Sequence, residues 1–335
     1  MSAEHLNAET PRRTTVLCAG ETMALVTPST SERLRDAQTF HVEAGGAESN
    51  VAAHLAQLGR MSRWFSRLGD DQLGHRVAEH IRSRGVDLTG VSYDADLPTG
   101  VYFKDPGHGV LYYRAGSAAS AMGAADAQEL DLQDVGLVHL SGITVALSES
   151  AARFTQTLME RAAAAGIPVS FDVNHRTALW DRHAAGANWH PGAAADVLKS
   201  FAARADIVLV GMDEAEGLWG TSTAEQVRDL FPQVRHLVIK DGDVGAFELS
   251  EQQEHFEPAI PTEVVEVVGA GDAFAAGYLH ELLRGSGPGE RLRAGHRRAS
   301  LTLQTTADLP SEPAQTRPTP SEPAQTHPTA EGAAP

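Results

Sequence analysis

A chain of 335 residues with 44 acidic and 27 basic side chains carries a formal net charge of −17 and has no basic run, so nucleic acid is not an expected partner. No apolar stretch approaches the ~20 residues of a membrane span. Cys18 is the only cysteine, which rules out an intrachain disulfide and fits a reducing cytoplasm. The expectation is a soluble, cytoplasmic protein with a large α/β core.

Residues 1–13 are polar with no apolar centre, unlike a signal peptide. Residues 14–20 read as a buried first strand ending at a glycine. From 21 to 43 the pattern is short and irregular, closer to small strands than to a long helix. Gly45-Gly46 then opens a helix with Val51, Ala52, Leu55 and Leu58 on one face and Gly59 as its stop. A strand at 64–69 follows, then an amphipathic helix at 72–84 ended by Gly85.

Residues 91–116 break this rhythm. The aromatic stretches 101–104 and 110–114 flank Pro106-Gly107-His108-Gly109, a hairpin signal. With part of 23–43 they are expected to form a small β-sheet standing off the main domain as a lid. Regular alternation then resumes: strands at 136–141, 167–172, 206–210 and 235–240, with helices at 148–165, 191–203 and 223–230 between them. A hairpin spans about 245–258, and helices at 272–284 and 290–304 close the domain. Such alternation predicts an α/β fold whose mostly parallel sheet is covered on both faces. Beyond residue 309 a Pro-rich segment at 311–320 is nearly repeated at 321–330, and both ends of the chain, 1–13 and 310–335, are expected to be disordered.

Chemistry concentrates where a valine-rich run, 264–268, enters Gly269-Ala270-Gly271 and Asp272 follows in the first turn of a helix. Small residues let backbone approach a ligand, and the helix start offers unpaired N–H groups and a positive dipole end to a phosphate. A carboxylate beside such an anion cradle suits a base that takes a proton from an attacking hydroxyl. Taken alone, the same residues would serve as a turn and an N-cap. A second glycine-rich helix start, Gly45-Gly46 with Asn50, precedes it by about 220 residues.

The two motifs in this order resemble the ribokinase-like (PfkB) family of sugar kinases over residues 14–309, which implies a three-layer α/β/α domain with a β lid. The resemblance implies ATP and Mg²⁺ as cofactors, Asp272 as catalytic base, and an anion hole of Gly269, Ala270, Gly271 and Asp272. It also implies a nucleotide-side loop at Lys240, Gly242 and Gly245, and a homo-oligomer joined through the lid. A dinucleotide-binding reading is poorer, since no G-x-G-x-x-G follows the first strand. Two motifs depart from the family pattern: Gly211 stands where it carries Asn, leaving Glu214 to organise the metal through water, and Glu266-Val267 replace Asp-Thr.

Arginines at 114, ending an aromatic strand, and at 176, just past a buried strand, suit a carboxylate if they converge on one pocket. The segments around Tyr112-Tyr113-Arg114, His139-Leu140-Ser141 and Phe171-Asp172-Val173-Asn174-His175-Arg176 resemble the 2-keto-3-deoxygluconate kinase branch of the family. That likeness implies a sugar-acid site built from Gly45, Gly46, Asn50, Tyr102, Tyr112, Arg114, Asn174, Arg176 and Asp272. Glu21-Thr22-Met23, where the ribose branch carries Asn-x-Asp, count against ribose. A kinase of fructose, ribose or another sugar acid, and a non-catalytic sugar-acid-binding regulator, stay open as alternatives.

Overall fold

An uninterrupted apolar run must be covered on both faces, and β1 (Thr15–Ala19) is buried at every position. The computed structural model describes residues 13–184, 194–250 and 253–305. After β1 come β2 (Met23–Pro28), β3 (Phe40–Gly45), α1 (Ala47–Gln57), β4 (Ser62–Phe65), β5 (Arg67–Gly69) and α2 (Gln72–Ser83). The chain continues through β6 (Ser92–Asp94), β7 (Val101–Asp105), β8 (Gly109–Tyr113), α3 (Ala124–Glu129), β9 (Val135–Ser141), α4 (Gly142–Leu147) and α5 (Glu149–Ala164). Then follow β10 (Val169–Asp172), α6 (Thr177–Ala184), α7 (Ala194–Ala202), β11 (Ile207–Gly211), α8 (Met212–Trp219), α9 (Ala224–Leu230) and β12 (His236–Asp241). β13 (Gly245–Leu249), β14 (Glu254–Pro258), α10 (Ala270–Leu282) and α11 (Pro288–Leu303) complete it.

Eight strands form the main sheet in the order β14-β13-β12-β11-β10-β9-β1-β4, parallel from β12 to β4 and antiparallel at the β13–β14 edge. Alternate side chains of one strand enter different cores. Leu17, Val138, Val208 and Ile239 join Phe154, Leu158 and Phe231 in one; Val16, Leu137, Leu209 and Val238 join Val51, Val77, Phe274 and Leu292 in the other. The three-layer expectation is therefore met, for a physical reason: a sheet apolar on both faces needs helices on both.

The lid is a four-stranded sheet, β3-β2-β7-β8, in which Tyr102 pairs with Tyr112 across the β7–β8 hairpin. Two sequence expectations need correction. The strand expected at 64–69 divides: β4 stays in the main sheet, while β5 leaves it to pair with β6, where Arg67 bonds Asp94 at 2.9 Å. Residues 92–94 thus belong to this two-stranded sheet and not to the lid. Helices α3, α4, α6 and α8, of six to eight residues, carry too few turns to register as a 3.6-residue pattern. Expectations for 1–12, 191–193 and 306–335 fall outside the described residues.

Candidate active site

Parallel strands place their carboxyl ends on one edge of a sheet, and ligand-binding groups gather there. Asp172 ends β10, Gly211 ends β11, and Lys240 is next to last in β12. The two glycine-rich helix starts meet at this edge: Asn50 Nδ2 donates to Asp272 Oδ2 at 2.9 Å across 222 residues of sequence. Gly46 makes the approach of α1 possible, because a Cβ there would lie 2.3 Å from the Glu21 carbonyl oxygen.

Gly269 caps α10 in the left-handed region at φ +84°, which costs a glycine no Cβ strain. The first turn of α10 then stands as a wall between two cavities. One, of about 380 Å³, is lined by Gly269 and Asp272 together with Gly45, Gly46, Asn50, Tyr102, Tyr112, Arg114 and Arg176. The other, of about 660 Å³, is lined by Ala270 and Gly271 with Lys240, Gly242, Gly245 and an apolar slot that includes Ile260, Phe274 and Leu303. An acceptor on one side and a nucleotide on the other would meet at the helix start.

The structure brings all but one of the residues expected to touch the sugar acid to one cavity. Asn174 is the exception: it is buried, off the cavity wall and at φ +40°, and its turn carries His175 and Arg176 to the wall instead. Arg176 is exposed there, whereas Arg114 is buried, pairs with the fully buried carboxylate of Glu21 and lies 5.5 Å over the Tyr112 ring. Glu21 also accepts from Ser117 Oγ at 2.9 Å. Sequence reasoning used Glu21 only as an argument against ribose and missed it as the partner of Arg114; the one available signal was a lone acid just past the first strand.

Glu48, in the first turn of α1, is a second buried acid that the sequence did not single out. Ser141 Oγ and Thr144 Oγ1 both donate to it at 2.8 Å, while burial raises its pKa. Gly20 lies so close to Glu48 that a Cβ would fall 2.1 Å from its Cδ. A lid residue, Lys104, approaches Glu266 at 3.9 Å, just before the Gly269 turn.

Glu214 ties the end of β11 to the segment after β10: its two carboxylate oxygens accept from the N–H groups of Gly211 and His175 at 2.8 and 2.9 Å. Burial raises its pKa, and Lys240 opposes the rise. Among the described residues no cluster of three or more His, Cys, Asp or Glu could hold a metal. That donor set fits Mg²⁺ carried on nucleotide phosphates, which needs one or two carboxylates and several waters in place of a protein cage. No described helix is long and apolar enough to cross a membrane.

Comparison with known proteins bears on this arrangement directly. Residues 13–315 match the pfkB family carbohydrate kinase profile. The chain belongs to that family. Among relatives of this pfkB family kinase, the 2-dehydro-3-deoxygluconokinase of Bacillus subtilis is 33% identical, covering 89% of this chain and 92% of its own. The 2-dehydro-3-deoxygalactonokinase of Haloferax volcanii is 31% identical over 87% and 91%. The crystal structure of a PfkB protein from Polaromonas sp. JS666 superposes with a TM-score of 0.77 at 35% identity, covering 87% of this chain and 96% of that one. The fold is thus ribokinase-like and the chain is a sugar kinase.

One buried group of this kinase makes its stability depend on pH. His139 bonds Ser170 Oγ at 3.1 Å, and desolvation pushes its pKa from 6.5 down to about 4, against the upward pull of Asp172. The unfolded chain therefore takes up this proton first. The contribution is full above about pH 6.5 and lost as pH falls toward 4, a loss of about 3 kcal/mol. Urea midpoints across this window should fall less steeply for His139→Gln than for the parent; equal slopes would mean that His139 is not the group responsible.

Proposed function

We propose that this kinase transfers the γ-phosphoryl group of ATP to the primary hydroxyl of 2-keto-3-deoxygluconate, giving the 6-phosphate. The observation that carries this reading is a single cavity lined both by Gly269 and Asp272 of the α10 N-terminus and by Arg114, Arg176 and Tyr112. Guanidinium groups recognise a carboxylate by charge-assisted hydrogen bonds. Similarity to the B. subtilis 2-dehydro-3-deoxygluconokinase supports the same substrate class.

In this mechanism Asp272 accepts the proton of the attacking hydroxyl. The new bond joins that oxygen to the γ-phosphorus as the bond to the bridging oxygen breaks and ADP departs. First-turn N–H groups of α10, from Ala270 to Asp272, receive the charge on the transferring oxygens. Mg²⁺, when bound, supplies further neutralisation of phosphate charge, and Glu214 is the carboxylate that would hold its water shell. Tyr102 and Tyr112, stacked at 5.7 Å on the lid, orient the acid and exclude water that would hydrolyse ATP. We place the kinase in the cytoplasm and propose that it pairs with a second copy through the lid, whose Phe40, Leu111 and Tyr113 are exposed.

A neutral sugar is a second reading, favoured by one observation: Glu21 already neutralises Arg114, leaving Arg176 as the one arginine or lysine lining the cavity that makes no ion pair among the described residues. ADP release with Mg-ATP and a panel of 2-keto-3-deoxygluconate, its galactonate epimer, gluconate, fructose and ribose decides. Selective turnover of the keto-deoxy acids is expected. Turnover confined to fructose or ribose would overturn the acid assignment while leaving Asp272 as base. Acid binding without any turnover would favour the regulator.

A further inference from the structure

Lys240 is the one lysine or arginine lining the nucleotide-side cavity among the described residues, and its side chain is 20% exposed. Its Nζ lies 2.9 and 3.2 Å from the two carboxylate oxygens of Asp172, which is itself 3% exposed at the end of β10. The same ammonium stands over the anion cradle: an atom at the Cβ position of Gly271 would lie 3.6 Å from it. Burial works against its charge, yet Asp172, Glu214 and Asp272 together raise its pKa, so it is an ammonium at neutral pH. A permanent cation is thus held beside the backbone N–H groups that receive the phosphoryl oxygens.

We propose that Lys240 is a catalytic residue whose ammonium contacts the transferring phosphoryl group, and that Asp172 is the positioning residue that aims it. The role rests on the kinase reading above but not on which sugar is the acceptor. Charge on the three equatorial oxygens grows as the bridging bond breaks, and an ammonium already fixed in place stabilises it without reorganisation. Asp172 keeps the side chain from folding away into solvent when the cavity is empty.

A purely structural role must be separated from this one, because losing Lys240 strands a buried carboxylate. Lys240→Met is expected to lower kcat about 10²–10³-fold, the usual cost of one such donor, with KM for the acceptor within about threefold. Lys240→Arg should recover at least tenfold of the loss. The decisive protein is Lys240→Met with Asp172→Asn, which removes the stranded charge. Turnover as low as in the single variant supports the proposal, and recovery to within about threefold of the parent overturns it. The parent's best acceptor in the sugar panel serves as substrate, so a wrong sugar assignment does not disturb the test. Calorimetry of ADP with aluminium fluoride, a mimic of the transferring group, supplies a readout independent of turnover. The variants should bind ADP alone as the parent does but lose the extra affinity conferred by fluoride; unchanged fluoride enhancement would overturn the proposal.

Discussion

Asp272→Asn is expected to lower kcat by about 10³-fold while leaving the KM for the acceptor within about threefold, since a positioned base contributes 10²–10⁴. The amide keeps the shape of the carboxylate, and its oxygen can still accept from Asn50 Nδ2, the contact that ties α1 to α10 at 2.9 Å. The helix start and its N–H groups should therefore stay in place. An unchanged melting temperature beside the fallen kcat would assign the loss to chemistry. Near-parent turnover would remove Asp272 as base and leave the helix start as the main catalytic feature.

Arg176→Ala should raise the KM for 2-keto-3-deoxygluconate about tenfold to a hundredfold, because a hydrogen bond to a charged group is worth about 1.5–3 kcal/mol. Fructose and ribose kinetics should move less than about threefold. Arg176 is the cleaner probe of carboxylate recognition because it is exposed at the cavity wall. Arg114→Ala would instead strand the buried Glu21 carboxylate, costing about 3–5 kcal/mol of stability and clouding any kinetic reading. Arg114→Met with Glu21→Gln avoids that charge. Equal losses for acid and neutral sugars in Arg176→Ala would refute carboxylate recognition at this position.

The core strands were legible as apolar runs because parallel strands covered on both faces have no polar positions to interrupt them. The two helix starts were legible for a similar reason: Gly46 and Gly269 occupy places where backbone contact or a left-handed φ excludes a side chain. The lid hairpin declared itself through its aromatic strands and glycine turn. The short helices α4 and α8 did not, since one or two turns give too little periodicity. Asn174 lies off the cavity wall because its own turn, at φ +40°, carries His175 and Arg176 to the wall instead.

By itself, then, the sequence determined an α/β sheet with a small lid and two glycine-rich helix starts, all consequences of local pattern and local backbone geometry. Which charges meet was decided only in three dimensions. Nothing in the chain marks Glu21, out of 44 acidic residues, as the partner of Arg114, or Asp172 as the partner of Lys240 across 68 residues. The Asp172–Lys240 pairing follows from strand order, which brings β10, β11 and β12 side by side, and the Glu21–Arg114 pairing from the lid, where β2 pairs with β7 and β7 with β8. A side chain's charge is written in the sequence, but the field it feels is set by neighbours that only folding supplies.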